Sequence, residues 1–376
     1  MGRREISERP LVDDQGIPSL PEQLLSVEQM QAYSPNQPDS VKLSPFPPAQ
    51  VSIGSSFHRL KVHSMFNIPP VLHKRSIKGI SAILLPWKPN GQMDLDSYQR
   101  GLLRTWKSGL TPAINMDTGY ANLLSPQQRT EVLLLVAQLA AGRPFVAGAF
   151  VEDLPGDVVR NYIDQSIAIQ ESGGTPILFQ STQLTRLPKD KLVDAYRRVA
   201  KECDELLGFE LGKMFAPFGE IYDLDTFRAL LSIPTLTGIK HSSLSREQEW
   251  QRLAIKNQER PEFRVYTGND LAIDMVQWGS DYLLGLSAFY PEAFALRDEY
   301  WSLGDARFYE LNDWLQYLGF IAFRDPVPAY KHNCAMFLVQ RGVIEHASIP
   351  AGALSRPDSD YALLALVQKH LDALVS

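Results

Sequence analysis

From residue 77 onward, short apolar runs alternate with longer amphipathic stretches. Eight runs stand out: 81–85 (SAILL), 112–116 (PAINM), 145–150 (FVAGAF), 175–179 (TPILF), 209–211 (FEL), 236–240 (LTGIK), 264–267 (RVYT) and 282–286 (YLLGL). Each is too short to be a helix and reads as a buried strand. Segments of helical length lie between them, at 125–141, 156–172, 188–206 and 270–278. The first of these opens with Ser125-Pro126-Gln127-Gln128, a capping box with proline at the first helical position. Eight β–α alternations at intervals of about 25–35 residues predict a (β/α)8 TIM barrel over 77–304. An open parallel sheet with two extra strands is the alternative. The pattern after Leu303 is helical to the end, which predicts three helices outside the barrel, a C-terminal extension over 305–376.

The first 76 residues break the pattern. Ten of the 26 prolines fall before Val71, in stretches such as Ser34-Pro35-Asn36-Gln37-Pro38. That density prevents continuous helix or central strand, so an irregular N-terminal arm is expected. Its apolar patch, 65–72 (MFNIPPVL), could dock on the barrel or on a neighbouring subunit.

Composition excludes several partners. The net charge is −6 and the chain carries no basic tract, which argues against nucleic acid or an anionic membrane surface. No apolar run approaches the roughly 20 residues that span a bilayer. The N-terminus has no apolar region behind its basic residues, so it does not read as a secretory signal. Gly2 does not complete a myristoylation pattern, because Ile6 stands where a hydroxyl is required. Two cysteines, Cys203 and Cys334, make neither a disulfide framework nor a zinc site, and the reducing cytoplasm is the default location. Nucleotide-binding glycine loops, the HExxH zinc motif and the GxSxG elbow are all missing.

One residue carries most of the chemistry. Lys240 ends the sixth run, and active sites of barrels lie at the C-terminal ends of the strands. Alternation puts Gly238 and Lys240 on one face and Ile239 on the other. An inward lysine in a poorly hydrated mouth has a lowered pKa and a nucleophilic amine. On the residues alone, the opposing reading is that Lys240 is the first polar residue of a loop.

The segment Gly238-Ile239-Lys240-His241-Ser242-Ser243 resembles the one bearing the Schiff-base lysine in the dihydrodipicolinate synthase / N-acetylneuraminate lyase family. Other blocks follow in the family's order. Residues 85–94 (LPWKPNGQMD) resemble its "TPF…DG…D" segment, and Ser108-Gly109-Leu110 through Asp117-Thr118-Gly119-Tyr120 to Ser125 its "GTTGE…L(S/T)" loop. Tyr266-Thr267-Gly268-Asn269-Asp270 is similar to "SGDD", 278–282 (WGSDY) to "lGadG", and 325–331 (DPVPAYK) to the "NP(I/V)P(V/I)K" helix start. The resemblance covers roughly residues 78 to 375. It implies a class I lyase or aldolase-type enzyme in which Lys240 condenses with pyruvate or a similar small carbonyl compound, without metal or organic cofactor, in a homodimer or homotetramer. It also implies a catalytic role for Thr118 and a substrate-binding surface of Asp117, Thr118, Gly119, Tyr120 and Gly268. The alternative is a catalytically degenerate barrel that serves as a binding or scaffold protein.

The departures are specific. The family places a proton-relay tyrosine at the end of strand five, 28 residues before the lysine, and that count lands on Gly212. Tyr120, Lys213, Glu210 and His241 are the candidate replacements, although His241 should point outward. Asp117 stands where the family holds a substrate carboxylate with a hydroxyl. A fixed negative charge there would repel that carboxylate and favour a neutral or amine-bearing ketone.

Overall fold

The structure, a computed structural model, describes residues 68–376; the expected arm up to residue 67 lies outside the described residues. Eight parallel strands close into a barrel in sequential order: β1 (Gly79–Ala82), β2 (Thr111–Ile114), β3 (Val146–Ala149), β4 (Thr175–Leu178), β5 (Leu206–Leu211), β6 (Leu236–Ser242), β7 (Arg264–Thr267) and β8 (Asp281–Leu284). Pairing of β1 with β8 completes the ring. The fold is therefore the expected TIM barrel, and the open sheet is set aside.

Helices α1 (Leu95–Lys107), α2 (Pro126–Ala140), α3 (Val158–Glu171), the single turn α4 (Thr182–Thr185), α5 (Lys189–Lys201), α6 (Leu224–Leu231), α7 (Arg246–Glu259) and α8 (Pro291–Leu303) surround it. The capping box opens α2, with Ser125 and Gln128 bonded reciprocally. Between β7 and β8 the expected helix over 270–278 is only a 3-10 segment, Ile273–Trp278. Its first amide is held by the Gln316 side chain and Gly279 closes it at φ 108°, so the chain turns into β8 before an α-helix can form. The segment expected to be helical up to Leu206 ends at Lys201, and β5 begins at Leu206, three residues earlier than the apolar run indicated. Beyond the barrel come α9 (Arg307–Ala322), α10 (Tyr330–Gln340) and α11 (Asp360–Val375).

Strand alternation divides the core. Ile80, Ala82, Ala113, Val146, Ile177, Leu207, Phe209, Tyr266 and Leu283 fill the barrel, while Leu206, Ile239, Val265 and Leu284 pack outward against the helices. The inner set reaches the C-terminal ends of β3, β4 and β5 with Phe150, Phe179 and Leu211. No helix among the described residues is long and apolar enough to cross a membrane.

Candidate active site

Lys240 lies on the inner face of β6. Phe209 is its register partner on β5, and the Lys240 Nζ sits over the Phe209 ring, 4.5 Å from its centroid. Burial pulls the amine down to about 8, against the upward pull of the Asp270 and Asp117 carboxylates. A buried ammonium is poorly solvated, so the neutral, nucleophilic form becomes accessible near neutrality. Gly268, one step beyond β7, makes room for it: a Cβ there would come within 2.8 Å of Lys240 Cε and collide with Ser242 Oγ. The Ser242 hydroxyl, on the same strand face as Lys240, is buried without a hydrogen-bond partner.

Asp270 follows Gly268 and is buried. One of its oxygens accepts a hydrogen bond from the Leu286 N–H at 2.8 Å. Burial nevertheless pushes its carboxyl up to about 7, even with Leu286, Lys240 and Gly285 favouring the anion. Lys240 and Asp270 thus act on each other, the carboxylate favouring the ammonium and the ammonium favouring the carboxylate, against the burial of both.

A second polar chain enters from α10. Tyr330 O–H donates to Asp117 Oδ2 at 2.9 Å and lies 2.8 Å from Thr118 Oγ1. A phenol has one proton, so if Tyr330 donates it to Asp117, the Thr118 hydroxyl must donate to Tyr330. Lys331 completes the group, donating from Nζ to Asp117 Oδ1 at 2.9 Å. Gly285 allows this packing, since a Cβ there would press on Thr118 Oγ1 and the Tyr330 ring at 3.0 Å. The loop that presents Asp117 and Thr118 is flanked by Asn115 (φ 51°) and Tyr120 (φ 60°). Left-handed backbone costs such residues about 1–3 kcal/mol each and persists where surrounding structure enforces it.

The structure sets Gly268 against Lys240 Cε and joins Thr118 to Asp117 through Tyr330, and the Asp117 and Asp270 carboxylates both act on the Lys240 amine. It does not place every expected residue at the mouth. Tyr120 packs in the layer outside the strands, with the Lys331 ammonium 5.3 Å from its ring, so it does not swing into the mouth. The Gly119 N–H is engaged by Met116 O in a 3-10 turn. Asp117 does not stand as an unbalanced charge. Its carboxylate is paired with Lys331 and Tyr330, which removes the case for an amine-bearing substrate.

The expected tyrosine substitutes are also corrected. Glu210 faces outward from the barrel, where Arg252 grips it at 2.6 and 2.7 Å and His241 Nδ1 lies 2.6 Å away. Burial opposes its charge, yet His241 and Arg252 hold its carboxyl down at about 2. His241 is outward as expected, with its other ring nitrogen 2.6 Å from Ser243 Oγ. Lys213 is exposed and plays no part in the lysine's environment. The aromatic ring beside the amine is Phe209, three residues before the position that the 28-residue count indicated, and it has no proton to give. Asp270, Tyr330 and Lys331 were passed over as site residues. Their signal was present, because all three lie within blocks that carry the family resemblance.

The described residues contain no cluster of three or more His, Cys, Asp or Glu side chains able to hold a metal ion. Residues 86–373 match the model of a family described as "Protein of unknown function (DUF993)". A curated relative, the 4-hydroxy-tetrahydrodipicolinate synthase of Kosmotoga olearia, is 24% identical over 212 residues, spanning 55% of this chain and 68% of that protein. Among solved structures, YagE from E. coli K12, a dihydrodipicolinic acid synthase family protein in complex with pyruvate, matches with a TM-score of 0.69. It is 16% identical and the match covers 79% of this chain and 98% of the other. Dihydrodipicolinate synthase from Thermotoga maritima matches with a TM-score of 0.66 at 18% identity, covering 79% and 99%. The chain belongs to the DUF993 family, and these matches bear out its resemblance to the dihydrodipicolinate synthase family in sequence and fold.

Proposed function

We propose that this DUF993 barrel is a Schiff-base lyase or aldolase-type enzyme acting through Lys240 on a small 2-oxo acid. The observation that carries the reading is the buried, inward amine of Lys240, lowered to about 8, beside a buried carboxyl raised to about 7. Such opposed perturbations in one cleft mark an acid–base pair. The amine adds to the ketone carbon to give a carbinolamine. A proton delivered to its hydroxyl lets that oxygen leave as water, and an iminium remains. A base then takes the proton of the hydroxyl on the departing carbon, that oxygen closes to the carbonyl of an aldehyde, and the electron pair of the breaking C–C bond moves into the iminium to leave an enamine. Protonation at carbon and hydrolysis return the ketone and the free lysine.

In this reading Asp270 moves the proton at the carbinolamine oxygen. Thr118, Tyr330 and Asp117 form the relay that the missing strand-five tyrosine supplies elsewhere in the family. Phe209 faces the iminium with its ring, which favours the cation by a cation–π contact. The same phenylalanine is what favours the second reading, a barrel that has lost catalysis and binds a partner or small molecule.

The test is exchange of the pyruvate methyl protons in D2O, followed by NMR. Enamine formation predicts exchange by the native protein, its loss in Lys240→Ala and at least a tenfold slowing in Tyr330→Phe. Absence of exchange in the native protein favours the non-catalytic barrel.

A further inference from the structure

The residues of the candidate site are closed off from solvent. Lys240, Ser242, Thr118, Asp270 and Tyr330 are all buried, Lys240 the least so at 9% exposure. The amine is therefore out of reach of a 2-oxo acid in this arrangement, and part of the mouth must move to admit one. Most of the mouth is tied down. The β2 loop is joined to α10 through Asp117 with Lys331 and Tyr330. After β3, Asp153 accepts from Arg129, and Glu152 accepts from Thr182 at the start of α4. The loop after β7 is held by the Leu286 N–H on Asp270 and by the Gln316 side chain on Asp270 O, and the turn after β8 by Ser287 on Ser81.

The connection after β5 is held differently. Its base is fixed: the Gly212 N–H donates to Ser242 O, and the Gln180 side chain bonds both the N–H and the C=O of Glu220. The two ends meet there, since a Cβ on Gly219 would lie 2.4 Å from Leu211 O and 3.0 Å from Gly212 O. Between them, residues 213–218 form no hydrogen bond to the rest of the described residues; the two turns, Phe215 N–H to Gly212 O and Gly219 N–H to Ala216 O, are internal. Packing alone closes the segment. Phe215, Ala216 and Phe218 lie half-buried against the inner cluster that contains Phe209, the ring facing the Lys240 amine, while Lys213, Met214 and Pro217 are exposed. On its outer side is a cleft of about 760 Å3, bordered by Pro217, Phe218 and Gly219 and by Glu152, Thr182 and Arg186 among others. That cleft is room into which the segment can retract.

We propose that residues 212–219 are the lid of the site, turning on the narrow base at Gly212 and Gly219 and swinging into the outer cleft to open the mouth above Lys240. A compact loop whose ends meet moves as a unit about that base. A segment with few buried apolar contacts and no ladder to its neighbours belongs to the low-stability end of a fold, which opens while the strands beneath stay paired. The proposal rests on the Schiff-base reading only for the choice of Lys240 as the group that the lid uncovers.

The experiment reads access to Lys240 by trace acetylation of the full-length protein with acetic anhydride. It is run at pH ~9.5, above the amine midpoint of about 8, so that protonation does not limit the rate. Lys331, buried on α10, is read in the same digest as a control. Removing the packing that closes the lid, with Phe215→Ala and Phe218→Ala together, should raise the Lys240 rate at least tenfold and leave Lys331 within about twofold. The pair Phe215→Leu and Phe218→Leu, which keeps the contact apolar, should stay within about threefold of the native rate. Capture of pyruvate with borohydride is run in parallel. An unchanged Lys240 rate in the alanine pair overturns the lid, whether or not pyruvate is captured. A rise shared equally by Lys331 overturns it too, because the whole mouth has then loosened. A rise at Lys240 alone, with no pyruvate adduct, supports the lid and overturns the Schiff-base reading. Should the alanine pair not fold, hydrogen exchange of the native protein decides: 213–218 should exchange while β5 and β6 remain protected, and exchange together with those strands overturns the lid.

Discussion

Replacing Asp270 with Asn tests the electrostatics of the site directly. Asn keeps the shape and can still accept the Leu286 N–H, but it removes the anion that favours the Lys240 ammonium. Asp270 is the larger of the two carboxylate influences that favour the ammonium, and a nearby opposite charge moves a pKa by about 1–3 units, so the amine midpoint should fall from about 8 by about one unit. At pH 7 an amine with a midpoint near 8 is ~10% free base, whereas one near 7 is ~50%, a roughly fivefold gain in reactivity. Trace labelling of Lys240 with acetic anhydride from pH 5 to 10, read by peptide mass, measures the midpoint without requiring turnover. An unchanged or higher midpoint would refute the coupling. The same variant has a stability signature. Asp270 titrates at about 7 in the fold against an ordinary 3.8, so its contribution is full below pH ~4 and is lost as pH rises through about 7. Asp270→Asn should therefore match the parent at pH 4 and exceed it at pH 8. The margin is at most ~4 kcal/mol, since Lys240 loses its counter-ion in the variant. A gain that grows toward acid pH would reverse the assigned sign.

Two further outcomes follow from the cluster at the mouth. Asp117→Asn breaks the tie between the β2 loop and α10 and leaves the mostly buried Lys331 ammonium unpaired; it should cost about 3 kcal/mol in urea unfolding, and Lys331→Met on top of it should recover much of that. A cost below about 0.5 kcal/mol would mean that the pair does not hold these elements together. Gly268→Ala puts a methyl group against Lys240 Cε and Ser242 Oγ, so labelling of Lys240 by pyruvate and borohydride should drop at least tenfold while circular dichroism is unchanged. Full labelling in that variant would show that the lysine does not need the space.

The barrel was legible because its signals are local. Eight short apolar runs and the 125–128 capping box require only neighbouring residues, and alternation put Lys240 on one face with Gly238, which the structure shows to be the inner one. What stayed hidden depends on loop length or on distant partners. Counting 28 residues back from Lys240 landed on Gly212, just past the end of β5, whereas its partner across the strands is Phe209, and strand register cannot be read from a count along the chain. Asp117 read as an unbalanced charge because its partner Lys331 is 214 positions away. Glu210 was assigned to the inner face on the strength of that same miscounted position; its partner Arg252 lies 42 residues on, on α7 outside the barrel.

The most direct measurement is the site of covalent capture. Full-length protein is incubated with pyruvate, reduced with borohydride, digested and mapped by tandem mass spectrometry. The prediction is a reduced pyruvate adduct on Lys240, absent from Lys240→Arg. An adduct on another lysine that persists in Lys240→Arg, or no adduct on Lys240 in the native protein, would contradict it.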